Sequence, residues 1–265
     1  MPVDPTGRPD GDELVTLRRD GAVAVVTLNR PTKLNAISSA LEAALGAALS
    51  HPDLTSSGAV VLTGGPRVFS AGADVTEMRE IDAASAFEYY RQTGGVYEAV
   101  AALPQPTVSA IAGYCLGGGL ELALATDFRV AEETSVFGFP ELDIGIIPSS
   151  GGTHRLVRVA GPAVARTLIV LRRRISAAEA ERHGLVTELV PEGTALERAL
   201  ELARELADLP GLATTLAIRA IDAAAESSRD VGLLVEQLVY ATLVGGEESR
   251  RRTGAFGRAG EEGSR

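Results

Sequence analysis

The sequence predicts an α/β core followed by an all-helical C-terminal region. Short β-branched runs alternate with amphipathic segments up to about residue 190, as in strands connected by helices. After Pro191, three segments of helical periodicity follow one another with no β-prone run between them. The chain has 265 residues, 45% of them hydrophobic, which is enough for one large domain or for one domain plus a small appendage.

Local patterns predict the elements of the first half. Asp20-Gly21 between two β-prone runs is typical of a hairpin turn, and Pro104 ends a long helical pattern. The predicted elements are, in order, strands at 14–17 and 23–28, a helix from Ser38, a strand at 59–63, a helix at 84–103 and a strand at 107–111.

The second half contains one clear pair of helix boundary signals. Ser176 and Glu179 have the spacing of a capping box, and His183-Gly184 predicts the end of the same helix. The other predicted elements are strands at 127–131, 135–139 and 185–190, and helices at 152–159, 161–171, 194–209, 212–226 and 230–244.

A glycine-rich stretch lies at the junction of a strand and a helix. Gly117-Gly118-Gly119 precede an apolar helical segment, where backbone N–H groups and the positive end of the helix dipole favour an anion. Glu121 follows within one turn, and a carboxylate beside such donors suggests acid–base chemistry on a polarised carbonyl. The same residues also fit a packing junction with a dipole-stabilised glutamate, and both interpretations stay open at this point.

A second carboxylate has an apolar environment. Glu141 follows Pro140 in a hydrophobic loop, where burial tends to raise the pKa of a carboxyl group and suits it to donate a proton. The alternative is a structural hydrogen bond to nearby amides. A second glycine-bearing loop, at 69–74, follows the strand at 59–63.

Composition and missing motifs exclude several classes of protein. A net charge of -10 argues against a nucleic-acid partner, which would need a basic face. With neither a signal-peptide pattern nor a membrane-length apolar run, we expect a cytoplasmic protein that does not enter a membrane. The three histidines lack the spacing of metal ligands, so no metal site is expected, and no nucleotide-binding motif is present.

Two further features each have two interpretations. Cys115 precedes the glycines and suits either a nucleophile or, as for most lone cysteines, a core residue. The basic clusters 172–174 and 250–252 suit either solvated faces or counterparts to ligand phosphates.

Four sequence blocks together resemble the enoyl-CoA hydratase/isomerase, or crotonase, superfamily. They occur in the family's order at 28–36, 69–74, 112–121 and 139–153, and the likeness covers roughly residues 13–245. It implies a spiral of ββα turns that forms two stacked, roughly perpendicular sheets. The implied parts are a core at 12–191, a helical trimerisation and lid region at 192–246, and flexible termini at 1–11 and 247–265.

The resemblance also implies roles for individual residues. The amides of Ala73 and Gly118 would form an oxyanion hole, and Glu121 and Glu141 would be the catalytic pair. No metal or separate cofactor is expected, because coenzyme A is part of the substrate. The implied CoA- and substrate-binding residues are Arg30, Lys33, Leu34, Ala36, Ala71, Asp74, Gly117, Pro140 and Ser149.

Several functions are compatible with this resemblance. Two glutamates favour a hydro-lyase that adds water to a 2-enoyl-CoA, whereas an isomerase that shifts a 3-enoyl double bond needs only one. A non-catalytic acyl-CoA or RNA binder is a third possibility, against which the two glutamates and the acidic charge argue. The expected partners are an acyl-CoA substrate and further copies of the chain, in a homotrimer or a dimer of trimers.

Overall fold

The computed structural model describes residues 13–77, 82–92 and 95–262. Its strands are β1 (Val15–Asp20), β2 (Val23–Leu28), β3 (Ala59–Thr63), β4 (Thr107–Ile111), β5 (Tyr114–Leu116), β6 (Phe128–Glu132), β7 (Val136–Gly138), β8 (Ile175–Ser176) and β9 (Glu188–Val190). Its helices are α1 (Ser39–Leu49), α2 (Pro52–Thr55), α3 (Ala83–Gln92), α4 (Gly95–Ala101), α5 (Gly118–Leu124), α6 (Gly152–Ala165), α7 (Ala177–Arg182), α8 (Ala195–Ala207), α9 (Gly211–Glu226), α10 (Arg229–Val244) and α11 (Glu247–Glu262).

The strands form two sheets. The larger has the order β1-β2-β3-β4-β6-β9, antiparallel within the first hairpin and parallel from β2 onward. The hairpin turns at Gly21, whose φ of +57° confirms the turn predicted there. The smaller sheet has the order β5-β7-β8. The α/β class with two sheets and C-terminal helices therefore confirms the predicted fold class.

The central strands of the larger sheet are buried on both faces. All residues of β3 and β4 are buried, as continuous apolar runs in parallel sheets usually are. One face shares a hydrophobic cluster with residues of the smaller sheet, such as Cys115 and Phe137. The other face is covered by α8, through small residues such as Ala199 and Ala203.

This packing places the division between two compact units after Ala207. The boundary predicted at 191 separates α8 from the strands, whereas α8 packs on β3, β4 and β6. The difference arises because α8 covers the sheet with a stripe of small residues, which helical periodicity alone does not reveal.

Other predicted boundaries differ in detail. The helix predicted at 84–103 is divided into α3 and α4, with 93–94 outside the described residues. The helix predicted at 161–171 begins inside α6, after a kink at Gly161 (φ +79°), and continues into a π-helical turn. The capping box at Ser176 is confirmed, with both of its reciprocal hydrogen bonds present.

The second compact unit contains three helices, of which α9 packs on α10 and α10 contacts α11. α11 lies in the segment predicted as a flexible tail, where Glu248 pairs with Arg251 and Arg252 at helical spacing. The leader predicted at 1–11 lies outside the described residues. Within the part of the chain that the structure describes, no helix is long and apolar enough to cross a membrane.

Candidate active site

Each of the three consecutive glycines makes room for a different neighbour. A Cβ atom on Gly119 would lie 2.7 Å from the Cβ of Ser70, so this glycine allows α5 to pack closely against the loop at 69–74. A Cβ on Gly117 would lie 2.8 Å from Oε1 of Glu141, and its φ of +50° also favours glycine. The packing interpretation is therefore right for Gly119, while Gly117 lies beside the Glu141 carboxyl group and Gly118 beside the Ala73 amide.

Two backbone amides meet beside Gly118. The Gly118 amide is the first of α5 and has no acceptor within the helix. Ala73 forms a parallel β-bridge with Ile37, in which the Ile37 amide donates to the Gly72 carbonyl and the Asp74 amide donates to the Ile37 carbonyl, at 2.8 Å each. The Ala73 amide takes no part in this bridge. A Cβ on Gly118 would lie 3.5 Å from the Ala73 nitrogen. The arrangement brings together the two amides predicted to hold an oxyanion.

The loops that carry these amides are held together by backbone pairing. Ser70 forms a parallel bridge with Cys115, in which the Ser70 amide donates to Tyr114 at 2.9 Å and the Leu116 amide donates to Ser70 at 3.0 Å. Gly72, at φ +108°, lies where a Cβ would be 3.2 Å from the Leu116 carbonyl. The two loops thus form one rigid support for the site.

Glu121 is buried one turn into α5. Its Oε1 accepts hydrogen bonds from the amides of Ser150 at 2.7 Å and Gly152 at 2.9 Å, and the residue is only 4% exposed. Burial raises the pKa of Glu121 above its ordinary value, although these amide hydrogen bonds and the charge of Arg155 act in the opposite direction. A Cβ on Gly152 would lie 2.7 Å from Cγ of Glu121, so the glycine makes room for this carboxylate.

Glu141 begins a 3-10 turn, Glu141–Ile144, directly after Pro140. The residue is half-buried, and its Oε2 is buried with no hydrogen-bond partner within the described part of the chain. Burial raises the pKa of Glu141 to about 7, and the charge of Glu121 contributes in the same direction. The charges of the two carboxyl groups therefore interact, and Oε1 of Glu141 borders Gly117.

Comparison with known proteins agrees with this geometry. The protein family described as Enoyl-CoA hydratase/isomerase matches residues 18–257. The chain belongs to this family. It is 38% identical over 247 residues to a protein of Mycobacterium bovis named as a probable enoyl-CoA hydratase, covering 92% of this chain and 95% of that protein. It is 36% identical over 245 residues to the 2,3-dehydroadipyl-CoA hydratase of Escherichia coli, with the same coverage.

A solved structure supports the same assignment. The enoyl-CoA hydratase of Bacillus anthracis superposes with a TM-score of 0.85 at 34% identity, covering 93% of this chain and 96% of that one. The crotonase fold implied by the sequence blocks is therefore confirmed, and the chain is an enzyme of the enoyl-CoA hydratase/isomerase family.

In this family member, two predicted CoA-binding residues bind each other. Arg30 pairs with Asp74 at 2.7 Å and also donates to the Ala36 carbonyl at 3.0 Å. The hydrogen bonds of Thr76, followed by that of Arg30, lower the pKa of Asp74 to about 2. The pair thus joins the loop at 28–36 to the loop that carries Ala73, and direct binding of CoA by either residue stays a prediction.

The remaining predicted binding residues lie around the same two loops. Lys33 and Leu34 are exposed on the 28–36 loop, and the Leu34 carbonyl accepts the Ala71 amide at 3.0 Å. Pro140 is half-buried before Glu141, and Ser149 is exposed before the loop that holds Glu121. Their contacts with a substrate stay predictions.

Two residues that organise the site were not assigned a role from the sequence. Asn35 is fully buried and donates through Nδ2 to the carbonyls of Gly64, Val68 and Phe69, at 2.8 to 3.2 Å. Its φ of +51° is a conformation that asparagine tolerates better than most residues. Arg155, on α6, donates to the carbonyl of Ser150, in the loop whose amides bind Glu121. An asparagine in a loop only weakly predicts that its side chain will bind backbone groups. No sequence pattern around Arg155 predicts its contact with this loop.

The features with two interpretations also have defined surroundings. Cys115 is fully buried, and burial raises the pKa of its thiol, so it is a core residue. Arg172 pairs with Asp143, and Arg174 lies 5.9 Å from the centre of the Tyr114 ring. Across the residues that the structure describes, no group of three or more candidate metal ligands occurs.

Proposed function

We propose that this chain is an enoyl-CoA hydratase that adds water across the C2–C3 double bond of a 2-enoyl-CoA thioester. The observation that carries the proposal is the pair of carboxyl groups with raised pKa, buried Glu121 and half-buried Glu141, near the neighbouring amides of Ala73 and Gly118. In the proposed reaction the two amides bind the thioester oxygen and stabilise the charge that develops on it. Carbon C3 thereby becomes electrophilic.

The two carboxyl groups take different parts in this reaction. Glu121 accepts a proton from the attacking water, since hydrogen bonds from backbone amides favour its ionised form. Glu141, whose pKa is near 7, donates a proton to C2. The water oxygen bonds to C3, the enolate electrons form the C2–H bond, and exchange with solvent restores the two protonation states.

The direct test is hydration of crotonyl-CoA, followed as loss of the enoyl-thioester absorbance. We expect Glu121→Gln and Glu141→Gln each to lower the rate by about 100-fold or more, because each removes a proton acceptor or donor while keeping the shape of the side chain. Near-normal turnover in either variant would exclude the two-glutamate mechanism. An unchanged absorbance with the wild type would exclude hydration of this substrate.

Isomerisation is tested with the same protein and a 3-enoyl-CoA. One carboxyl group is sufficient to move a proton between C4 and C2, so an isomerase would retain activity in one of the two glutamine variants. We expect the wild type to hydrate crotonyl-CoA faster than it isomerises the 3-enoyl thioester. The reverse ratio would favour the isomerase assignment. Neither reaction requires a metal or a separate cofactor.

We also propose that the chain self-associates into a homotrimer or a dimer of trimers. The support from this molecule is the number of large apolar side chains exposed on α9 and α10, among them Leu212, Ile221, Leu238 and Tyr240. Light scattering coupled to gel filtration should give three or six times the mass of the chain. A monomer at micromolar concentration would contradict this expectation.

A further inference from the structure

Arg155 folds back from the first turn of α6 over the loop that holds Glu121. Its Nη1 donates to the Ser150 carbonyl at 3.0 Å, and its Nη2 pairs with the Glu98 carboxylate at 2.6 Å. The Arg155 side chain is 12% exposed, whereas that of Glu98 is 70% exposed. The guanidinium is therefore held against the loop from one side and by α4 from the other.

Two adjacent glycines make this arrangement possible. A Cβ on Gly151 would lie 2.0 Å from Nη1 of Arg155, and Gly151 also has a φ of +93°. A Cβ on Gly152 would lie 2.8 Å from Oε1 of Glu121. The loop therefore has space for the Arg155 guanidinium at Gly151 and for the Glu121 carboxylate at Gly152.

We propose that Arg155 is a positioning residue for the hydration reaction, which fixes the amides that bind Glu121 and holds a positive charge toward that carboxylate. It touches no reacting atom and acts through the Ser150 carbonyl. The inference rests on the proposed function, because it assumes that Glu121 is the base that activates water.

The ionisation of Glu121 depends on all the elements packed against α5. Arg155 and the amide hydrogen bonds favour the ionised form of Glu121, whereas burial opposes it. Loss of the Arg155 charge should therefore raise the pKa of Glu121. The titratable groups on the packed elements are Arg155 on α6, Glu141 on its 3-10 turn, Cys115 on β5, Tyr97 and Glu98 on α4, and Arg129 on β6, whose guanidinium binds carbonyls at the end of α5.

The test is the pH dependence of kcat/KM for crotonyl-CoA in Arg155→Gln. We expect the acidic limb to move upward by about one pH unit, because an opposite charge near the base is removed. We also expect kcat to fall about tenfold with KM changed less than about twofold, because the base is less well placed. Arg155→Lys keeps the positive charge but lacks the planar guanidinium that binds the Ser150 carbonyl and Glu98 together. The acidic limb of its kcat/KM profile should therefore lie at the wild-type pH, while its kcat stays low.

Arg158→Gln is the matched control, since it removes the same charge from an exposed position one turn further along α6. We expect it to leave the profile unchanged. An equal shift in this control, or no shift in Arg155→Gln, would overturn the proposal. If Arg155→Gln fails to fold, Arg155→Lys decides: lower thermal stability with normal kcat would mean that Arg155 is only structural.

A second readout does not depend on catalysis. Difference infrared spectroscopy follows the C=O band of protonated carboxyl groups during a pH titration, and Glu121→Gln identifies the band of Glu121. The midpoint should rise in Arg155→Gln and not in Arg158→Gln. If the wild type does not hydrate crotonyl-CoA, the proposed function fails, yet this titration still measures whether Arg155 controls the protonation of Glu121. An unchanged midpoint refutes that control.

Discussion

Gly152→Ala is expected to disable the site by adding one methyl group. The new Cβ would lie 2.7 Å from Cγ and 2.8 Å from Oε1 of Glu121, and 3.0 Å from Cε1 of Phe139. Real Cβ atoms do not approach other atoms so closely, and both neighbours are buried. The carboxylate must therefore move away from the amides that hold it.

The size of the effect follows from two contributions. Overpacking in a closed environment costs about 1–3 kcal/mol of stability, and each weakened hydrogen bond to the Glu121 carboxylate costs about 1.5–3 kcal/mol. A base displaced by a fraction of an ångström to one ångström lowers the rate by about 100-fold. We therefore expect a lower urea midpoint and at least this loss of crotonyl-CoA hydration.

Gly46→Ala is the matched control for this variant. Gly46 lies inside α1 with nothing within 4 Å of the Cβ position. The same substitution there should stabilise the protein by about 0.5–1 kcal/mol, because alanine has the better helix propensity, and should leave turnover unchanged. Turnover of Gly152→Ala within threefold of the wild type would refute the argument that Glu121 needs this space.

Three further outcomes are expected. Because burial raises the pKa of Glu141 from 4.5 to about 7, the native protein binds this proton more tightly than the unfolded chain. The wild type should therefore lose stability relative to Glu141→Gln as the pH rises through this window, measured as urea midpoints at fixed protein concentration. Asn35→Ala removes the Nδ2 donor from three loop carbonyls, two of them in buried hydrogen bonds, and should lower the free energy of unfolding by about 2–4 kcal/mol in the same assay; a change under about 0.5 kcal/mol would contradict this role. Gly118→Ala places a methyl group 3.3 Å from the Tyr97 hydroxyl and 3.5 Å from the Ala73 amide. It should lower kcat by about 100-fold or more with little change in the urea midpoint, and wild-type kcat would argue against an oxyanion at this point.

The strand pattern could be predicted from the sequence because it depends on local composition. The run at 59–63 is continuously apolar and is the buried strand β3, with the predicted bounds. Ser38 and Ser176 mark helix starts through their own side chains, and both accept the expected backbone hydrogen bonds. Each of these patterns lies within a few consecutive residues, so it can be recognised without knowing the tertiary structure.

The organisation of the site could be predicted less well, because it depends on contacts between residues far apart in the sequence. Glu121 receives its amides from residues 29 and 31 positions later, and Asn35 binds carbonyls about 30 positions away. The partner of Arg155 is 57 positions earlier. No local pattern encodes such pairs. The resemblance to a known family supplied Ala73, whose amide has no distinguishing side chain.

The contact between Gly152 and Glu121 also constrains how the sequence can change over time. Because the side chain at one position occupies the space that the other would need, the two positions can vary only together. A relative with a shorter residue at the position of Glu121 would have room for a side chain at that of Gly152, whereas either change alone leaves a collision or a void. Positions 121 and 152 should therefore show correlated substitutions among relatives that have lost this carboxylate.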